Sequence, residues 1–315
     1  MNRLDGIGTM ERREFLQVSG KAAASMFVAG FGTSGLMAAV TSGENDRVIP
    51  SVTLNNGVIM PMFGLGTMTL DGAKGERCVA DAISLGYRLV DTATIYGNEE
   101  AVGAGIIQSG IKREELFVTT KLWVSDAGYE NAKKAFQRSL NKLRLDYVDL
   151  YLIHRPRGDF KGSWKAMEEL HKDGKIKAIG VSNFESGQIE QLTADGGMKP
   201  ALNQIETHAF FQQSKAESAL RQHGIQMEGW SPFAEGRNGL FTNKTLTAIG
   251  AKHNKSAAQV SLRWMIQRGI VVIPRSSQKV HIKENIDIFD FELDASDLRS
   301  LAALDLNITQ FPEWG

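Results

Sequence analysis

Residues 116–154 hold three pieces whose reading decides the fold: LFVTTKLW (116–123), NAKKAFQRSLNKL (131–143) and VDLYLIH (148–154). The outer two are short apolar or β-branched runs of strand length. The middle one spaces its apolar residues at helical intervals, with Lys, Arg and Gln between them. Strand, amphipathic helix and strand in succession form a βαβ unit, whose two strands run parallel.

The alternation continues in both directions. Further runs at MFGLGTM (62–68), YRLVDTA (87–93), IKAIGVS (176–182), LNQIETH (202–208), IQMEGWS (225–231) and IVVIPRS (270–276) bring the strands to eight, and SAAQVSLRWMIQRG (256–269) is a second clear amphipathic stretch. Eight strands taking turns with helices predict an α/β fold, a (β/α)8 TIM barrel. Ahead of it, VTLNNGVIM (52–60) predicts a β-hairpin on an Asn-Gly turn.

The residues before the barrel read differently. GFGTSG (30–35) fits the G-x-G-x-x-G dinucleotide fingerprint. That motif works only where a buried strand leads in and a helix leads out. Upstream lies SGKAAASM, small and Lys-interrupted, and downstream LMAAV stops after five residues at TSGENDR, so the match is a decoy. Glu11-Arg12-Arg13-Glu14-Phe15-Leu16 followed by a moderately apolar run from Val18 to Val40 has the layout of a signal peptide of the twin-arginine type. The domain division is therefore 1–46 as signal or extension and 47–315 as barrel. The expected partner is the twin-arginine export machinery and the expected location the periplasm, with a cytoplasmic extension as the alternative reading. Lys21 and the many Gly, Ser and Thr make the run too polar for a stable membrane span.

Charge and cysteine content narrow the partners. Lys plus Arg equal Asp plus Glu at 36 each, which gives no electrostatic reason for nucleic acid or an anionic membrane. Cys78 is the single cysteine and cannot form an internal disulfide. His171, His208, His223 and His253 share no ligand-like spacing, so no metal site is expected.

In this architecture the chemistry gathers at the C-terminal ends of the strands. Those ends carry Asp91 and Tyr96, Lys121, His154, Ser182 and Asn183, Gln204, Trp230 and Ser231, and Arg275 and Ser276. Singly, Asp91 reads as a helix cap, Lys121 as a surface charge, His154 as a core histidine and Tyr96 as a loop aromatic. Together they bring complementary protonation chemistry to one mouth.

The chain resembles the aldo-keto reductases. The resemblance rests on LVDTATIYGNEEAVGAGI (89–106), TTKLW (119–123), LDYVDLYLIHRP (145–156), GKIKAIGVSNF (174–184) and VIPRSSQKVHIKEN (272–285), in order and over nearly all of residues 50–295. It implies a catalytic tetrad of Asp91, Tyr96, Lys121 and His154, and NAD(P)H-dependent reduction of aldehydes or ketones, keto acids and sugar-derived carbonyls among them. Hydride added to a carbonyl carbon leaves charge on oxygen, so a proton donor must stand within hydrogen-bond reach. Tyr96 fills that role, Lys121 is expected to lower its pKa, Asp91 holds the lysine, and His154 offers a second hydrogen bond to the developing oxyanion.

The same resemblance implies the cofactor residues. Ser182, Asn183 and Gln204 would hold the nicotinamide carboxamide, Trp230 would stack on the ring, and Thr67, Ser231 and Phe233 would line its path. Arg275, Ser276, His281, Glu284 and Asn285 fall where the 2′-phosphate and adenine are held. His281 replaces an arginine usual in NADPH-preferring members, which predicts NADPH use with NADH tolerated. Met68, Trp123 and Arg155 are candidates for the substrate pocket. Arg155 stands where the family has an aromatic or small residue; it either grips a substrate carboxylate or pairs outward with Asp159. The tail NITQFPEWG is short, so the pocket should be open, with Phe311 or Trp314 folding over it. The partner is a small-molecule carbonyl and the state a monomer. A competing reading is a cofactor-binding barrel that serves as a redox-responsive, non-catalytic partner subunit.

Overall fold

In the computed structural model the described residues are 39–40, 49–194 and 196–314. The fingerprint decoy and the paired arginines lie outside them.

Three short strands come first: β1 (Ala39–Val40), β2 (Ile49–Thr53) and β3 (Ile59–Pro61), antiparallel in the order β1-β2-β3. The predicted hairpin is β2–β3, in register Val52 to Met60 and Thr53 to Ile59. Its turn is one residue longer than a two-residue Asn-Gly loop. Leu54 N–H donates to Val58 O (2.8 Å), Gly57 N–H donates to Leu54 O (2.9 Å), and Gly57 takes the left-handed φ of 87°. A type I turn closed by a left-handed glycine gives this three-residue loop, and only glycine adopts that φ without cost. Asn55 and Asn56 donate to Pro200 O and Lys177 O (both 2.9 Å), just before or at the start of barrel strands. The hairpin therefore closes the N-terminal end of the barrel.

The barrel strands are β4 (Leu65–Gly66), β5 (Leu89–Asp91), β6 (Phe117–Leu122), β7 (Val148–Ile153), β8 (Ile176–Ser182), β9 (Leu202–Glu206), β10 (Gln226–Trp230) and β11 (Val271–Val272), all parallel and in sequential order. Each falls inside a run predicted above. Gly64 N–H to Val272 O (2.9 Å) and Gly66 N–H to Pro274 O (3.1 Å) join the first strand to the last. At this seam a Cβ on Gly66 would stand 2.6 Å from Ile273 O, so the close approach requires glycine. Every residue of β6 and β7 is buried, as expected of strands covered on both faces.

Between and after the strands run α1 (Gly72–Ser84), α2 (Glu99–Ser109), α3 (Tyr129–Leu143), α4 (Phe160–Lys172), α5 (Ser186–Thr193), α6 (Ser214–Gln222), α7 (Lys244–His253), α8 (Ala257–Gln267), α9 (Lys279–Ile286) and α10 (Ala295–Ala302). In α3, Ala132, Ala135, Phe136, Ser139, Leu140 and Leu143 face inward at three- and four-residue spacing, and Arg144 ends the helix at φ 56°. The α8 stretch starts on a capping box, with Ser256 and Gln259 each accepting the other's backbone N–H. Two short 310 turns, Thr94–Tyr96 after β5 and Val124–Asp126 after β6, shape the loops above the strand ends.

Candidate active site

The strand order sets the site's floor. β5 ends on Asp91 and β6 carries Lys121, and these neighbours bring carboxylate and ammonium into direct contact. Both are fully withdrawn from solvent, and Lys121 Nζ also donates to Thr92 O (3.0 Å). The second Asp91 oxygen accepts from Gln204 Nε2 on β9 (3.0 Å). Burial pushes the Asp91 carboxyl above the usual carboxylate value, against the pull of Lys121 and Gln204. Lys121 lies above the usual lysine value: burial opposes its charge, but Asp91 and Tyr96 outweigh it. Because both carboxylate oxygens accept hydrogen bonds, the proton of the pair sits on Lys121.

Tyr96 comes from the 310 turn after β5, held by Thr94 Oγ1 donating to Lys121 O (2.8 Å). The Lys121 ammonium lies 5.2 Å from the centre of the Tyr96 ring. The sequence predicts that this cation lowers the tyrosine pKa. Instead the pKa is raised, because burial outweighs Lys121, and Asp91 and Glu228 add to the rise. Tyr96 is thus held as a neutral phenol, the form that gives up a proton.

His154 follows β7 directly, and its N–H donates to Leu122 O (3.1 Å). Its ring stands edge-on to Tyr96, 5.9 Å between centroids. Burial, then Lys121 and Arg155, push its pKa well below the usual histidine value. The imidazole is neutral, and Nδ1 is buried without a hydrogen-bond partner among the described residues.

These groups open onto a cavity of about 510 Å³ at the C-terminal mouth. Its walls include Asp91, Tyr96 and His154, and of the predicted cofactor residues Thr67, Ser182, Asn183, Gln204, Trp230, Ser231, Phe233 and Arg275. Hydrogen bonds lock much of that wall. Ser182 Oγ donates to Gln204 O (2.9 Å), Asn183 Nδ2 donates to Ser182 Oγ (2.9 Å) and His154 O (3.1 Å), and Trp230 Nε1 donates to Asn183 Oδ1 (2.8 Å). Thr67 Oγ1 donates to Asp91 O (2.9 Å). Ser231, at a left-handed φ of 53°, keeps a buried hydroxyl with no partner among the described residues. An unpartnered hydroxyl in a cavity that ends at Arg275 suits the oxygens of a dinucleotide's phosphates.

Four expected cofactor residues lie outside this cavity. Ser276 is buried and its Oγ accepts from Gln278 N (3.1 Å), which shapes the turn into α9. His281 is exposed on α9, Glu284 accepts from Ser256 Oγ (2.6 Å), and Asn285 is buried on the same helix. Arg275, for its part, donates to Met68 O (3.1 Å) and to the hydroxyl of Thr69, pinning the loop after β4.

The pocket candidates divide. Met68 and Arg155 line the cavity. Trp123 is not among its walls; it packs edge-on against His154 at 5.0 Å. The tail reaches the mouth as expected, with Trp314 lining the cavity and stacked on Trp230 (5.7 Å, 25° between planes) and Phe311 edge-on to Trp230 at 5.3 Å. Glu228 joins the groups of the floor without marking the end of a strand. It is fully buried on β10 and accepts from Gln204 Nε2 (3.0 Å), the same amide nitrogen that donates to Asp91. Burial, then Asp91, push its carboxyl up to about 8. The signal was present as a lone acid inside the apolar run IQMEGWS.

Comparison with known proteins agrees with this geometry. Residues 62–306 match the model of the aldo/keto reductase family. A glyoxal reductase of Bacillus subtilis is 51% identical over 256 residues, which cover 81% of this chain and 92% of that protein. A solved aldo/keto reductase of Brucella melitensis shares 46% identity with a TM-score of 0.79, over 82% of this chain and all of that one. An aldo-keto reductase of Bombyx mori, solved in complex with NADP, shares 36% identity with a TM-score of 0.78, over 83% of this chain and 94% of that one.

Proposed function

The chain belongs to the aldo/keto reductase family and is an NAD(P)H-dependent carbonyl reductase; we propose that Asp91, Tyr96, Lys121 and His154 carry its chemistry. The observation that carries this reading is the buried Asp91–Lys121 pair set beside Tyr96 and His154 on one cavity floor. When bound, the reduced nicotinamide supplies the hydride. Tyr96, held neutral, gives its proton to the carbonyl oxygen. Lys121 offsets the charge left on the phenol oxygen, and Asp91 fixes the ammonium in place. His154, also neutral, orients the carbonyl with a hydrogen bond to the same oxygen.

For the cofactor, Ser182, Asn183 and Gln204 are the groups that meet the carboxamide, and Trp230 offers its face to the ring. Thr67, Ser231 and Phe233 line the path to Arg275, which takes the 2′-phosphate. Ser276, Glu284 and Asn285 serve the adenosine end. His281, exposed and without a guanidinium's fork, leaves NADPH favoured but NADH tolerated. The N-terminal 1–46 segment directs twin-arginine export of a folded monomer to the periplasm, a reading that rests on Arg12-Arg13 and the run that follows. Nothing favours the non-catalytic alternative: Asp91, Tyr96 and His154 line one cavity, and Lys121 is paired with Asp91.

The test is steady-state reduction of glyoxal by the purified barrel with NADPH and NADH in parallel, alongside quenching of tryptophan fluorescence. Turnover with both, NADPH ahead by roughly one to two orders of magnitude for a phosphate gripped by one arginine, is expected. Tight binding of either cofactor with no turnover of any carbonyl would restore the non-catalytic reading.

A further inference from the structure

Arg155 stands immediately after His154, where the backbone leaves it little freedom. Arg157 N–H donates back to Arg155 O (2.8 Å) across Pro156, a three-residue turn that fixes where the side chain emerges. The outward partner that the sequence offered is already engaged. Asp159 caps α4, its Oδ1 accepting from Gly162 N–H (2.8 Å), and makes no ion pair with Arg155. Among the described residues Arg155 has no salt bridge and no side-chain hydrogen bond.

Its position is at a junction. The side chain lines the catalytic cavity with Tyr96 and His154, and also an adjoining cavity of about 650 Å³ beneath α5 and α6. The acids near that second space are committed elsewhere. Glu185 caps α5 in a capping box with Gln188. Glu206 accepts from His208 Nε2 (3.0 Å), Thr309 Oγ1 (2.5 Å) and Gln310 N–H (2.8 Å). Arg157 adds a second positive charge close enough to act on Arg155. A half-buried guanidinium keeps its charge, and leaving it without an anion costs free energy that an incoming carboxylate recovers.

We propose that Arg155 is a carboxylate-binding subsite of the carbonyl pocket, and that the preferred substrates are short oxo acids bearing the carboxylate on the same molecule as the reacting carbonyl. This rests on the reading of Tyr96 and His154 above. In the reaction, hydride adds to the carbonyl carbon and the Tyr96 proton goes to its oxygen, giving a hydroxy acid and oxidised nicotinamide. The carboxylate is a spectator held by the guanidinium, so its contribution falls on binding. A charge-assisted, bidentate contact corresponds to about 10- to 100-fold in kcat/KM.

The experiment compares succinic semialdehyde with pentanal, and pyruvate with butanedione, in the parent, Arg155→Met and Arg155→Lys. The parent should prefer each acid by tenfold or more, mainly through KM. Arg155→Met should lower kcat/KM for the acids at least tenfold more than for the neutral partners, and Arg155→Lys should keep part of the preference. Melting temperatures of both variants guard against misfolding, with the lysine variant as the second chance. Equal losses for acid and neutral substrates in Arg155→Met, or no acid preference in the parent, would overturn the proposal. So would a preference seen for glyceraldehyde 3-phosphate over glyceraldehyde but absent for the carboxylates. No turnover of any of these carbonyl compounds by the parent, acid or neutral, would instead sink the reading of the tetrad, which keeps the two failures apart.

Discussion

The floor of the cavity and its rim are built in opposite ways. On the floor, Asp91, Lys121, Gln204 and Glu228 are fully buried, sit on four strands, and are tied to one another by direct hydrogen bonds. On the rim, Arg155 and Arg275 are partly or largely exposed, the loop 234–242 carries left-handed residues at Ala234, Glu235 and Asn238, and the tail is clasped by Arg237, which meets Gln310 and Glu313. The floor fixes what reaction is done, because a proton donor needs a rigid electrostatic setting. The rim decides which molecule receives it. Changes to the floor should therefore cost stability and rate together, and changes to the rim should move KM with little effect on folding.

The sharpest way to break that contrast is to strip one partner from the buried pair. Asp91→Ala leaves a buried ammonium with no carboxylate, a change that costs about 3–5 kcal/mol. For a chain of this size the melting temperature should drop by roughly 10 °C, with kcat falling alongside. A variant that melts normally yet is inactive would show that the floor's role is chemical only.

Glu228 tests the floor by pH. Folding raises its pKa to about 8 by burial, then Asp91, so over the window from the ordinary glutamate range to that value the folded chain holds a proton the unfolded chain has lost. Stability falls as pH rises across the window and levels off above it. Glu228→Gln has no such proton to lose. Its melting temperature relative to the parent should therefore climb between about pH 5 and pH 9, by up to roughly 10 °C. A difference that stays flat with pH would mean that Glu228 is ionised throughout.

The smallest effects belong to the tail. Trp314→Ala removes the ring stacked on Trp230 and should change cofactor or substrate KM by less than about tenfold, with melting inside the ±0.5 kcal/mol typical of surface changes. Arg237→Ala, which cuts an exposed ion pair, should leave melting unchanged. A large loss of stability in either would erase the distinction between rim and floor.

Most of the floor was legible because each strand was an apolar run closed by a polar residue, and parallel sheet order turns strand ends into neighbours. Asp91, Lys121, His154, Ser182 and Gln204 were found that way. Glu228 pairs in register with Gln204, but the resemblance assigns a role to Gln204 and none to Glu228. The direction of the Tyr96 shift was also missed, because a list of charged neighbours does not contain the burial that outweighs them. Trp123, just past the end of its strand, packs edge-on against His154, a contact that its place in the sequence does not announce. Rim features were hardest to read. That Arg275 pins Met68 and Thr69, and that Trp314 lies on Trp230, depends on contacts between residues far apart in sequence, with no periodic pattern to announce them.

Tyr96 is the proton donor above a preformed floor. Single-turnover reduction of glyoxal by the NADPH-loaded parent and by Tyr96→Phe tests it most directly, with NADPH affinity and melting measured on both. Hydride transfer should slow by about 10²–10⁴, with affinity and melting nearly unchanged. A phenylalanine variant that transfers hydride within a fewfold of the parent would contradict it and assign the proton to another group, His154 first among them.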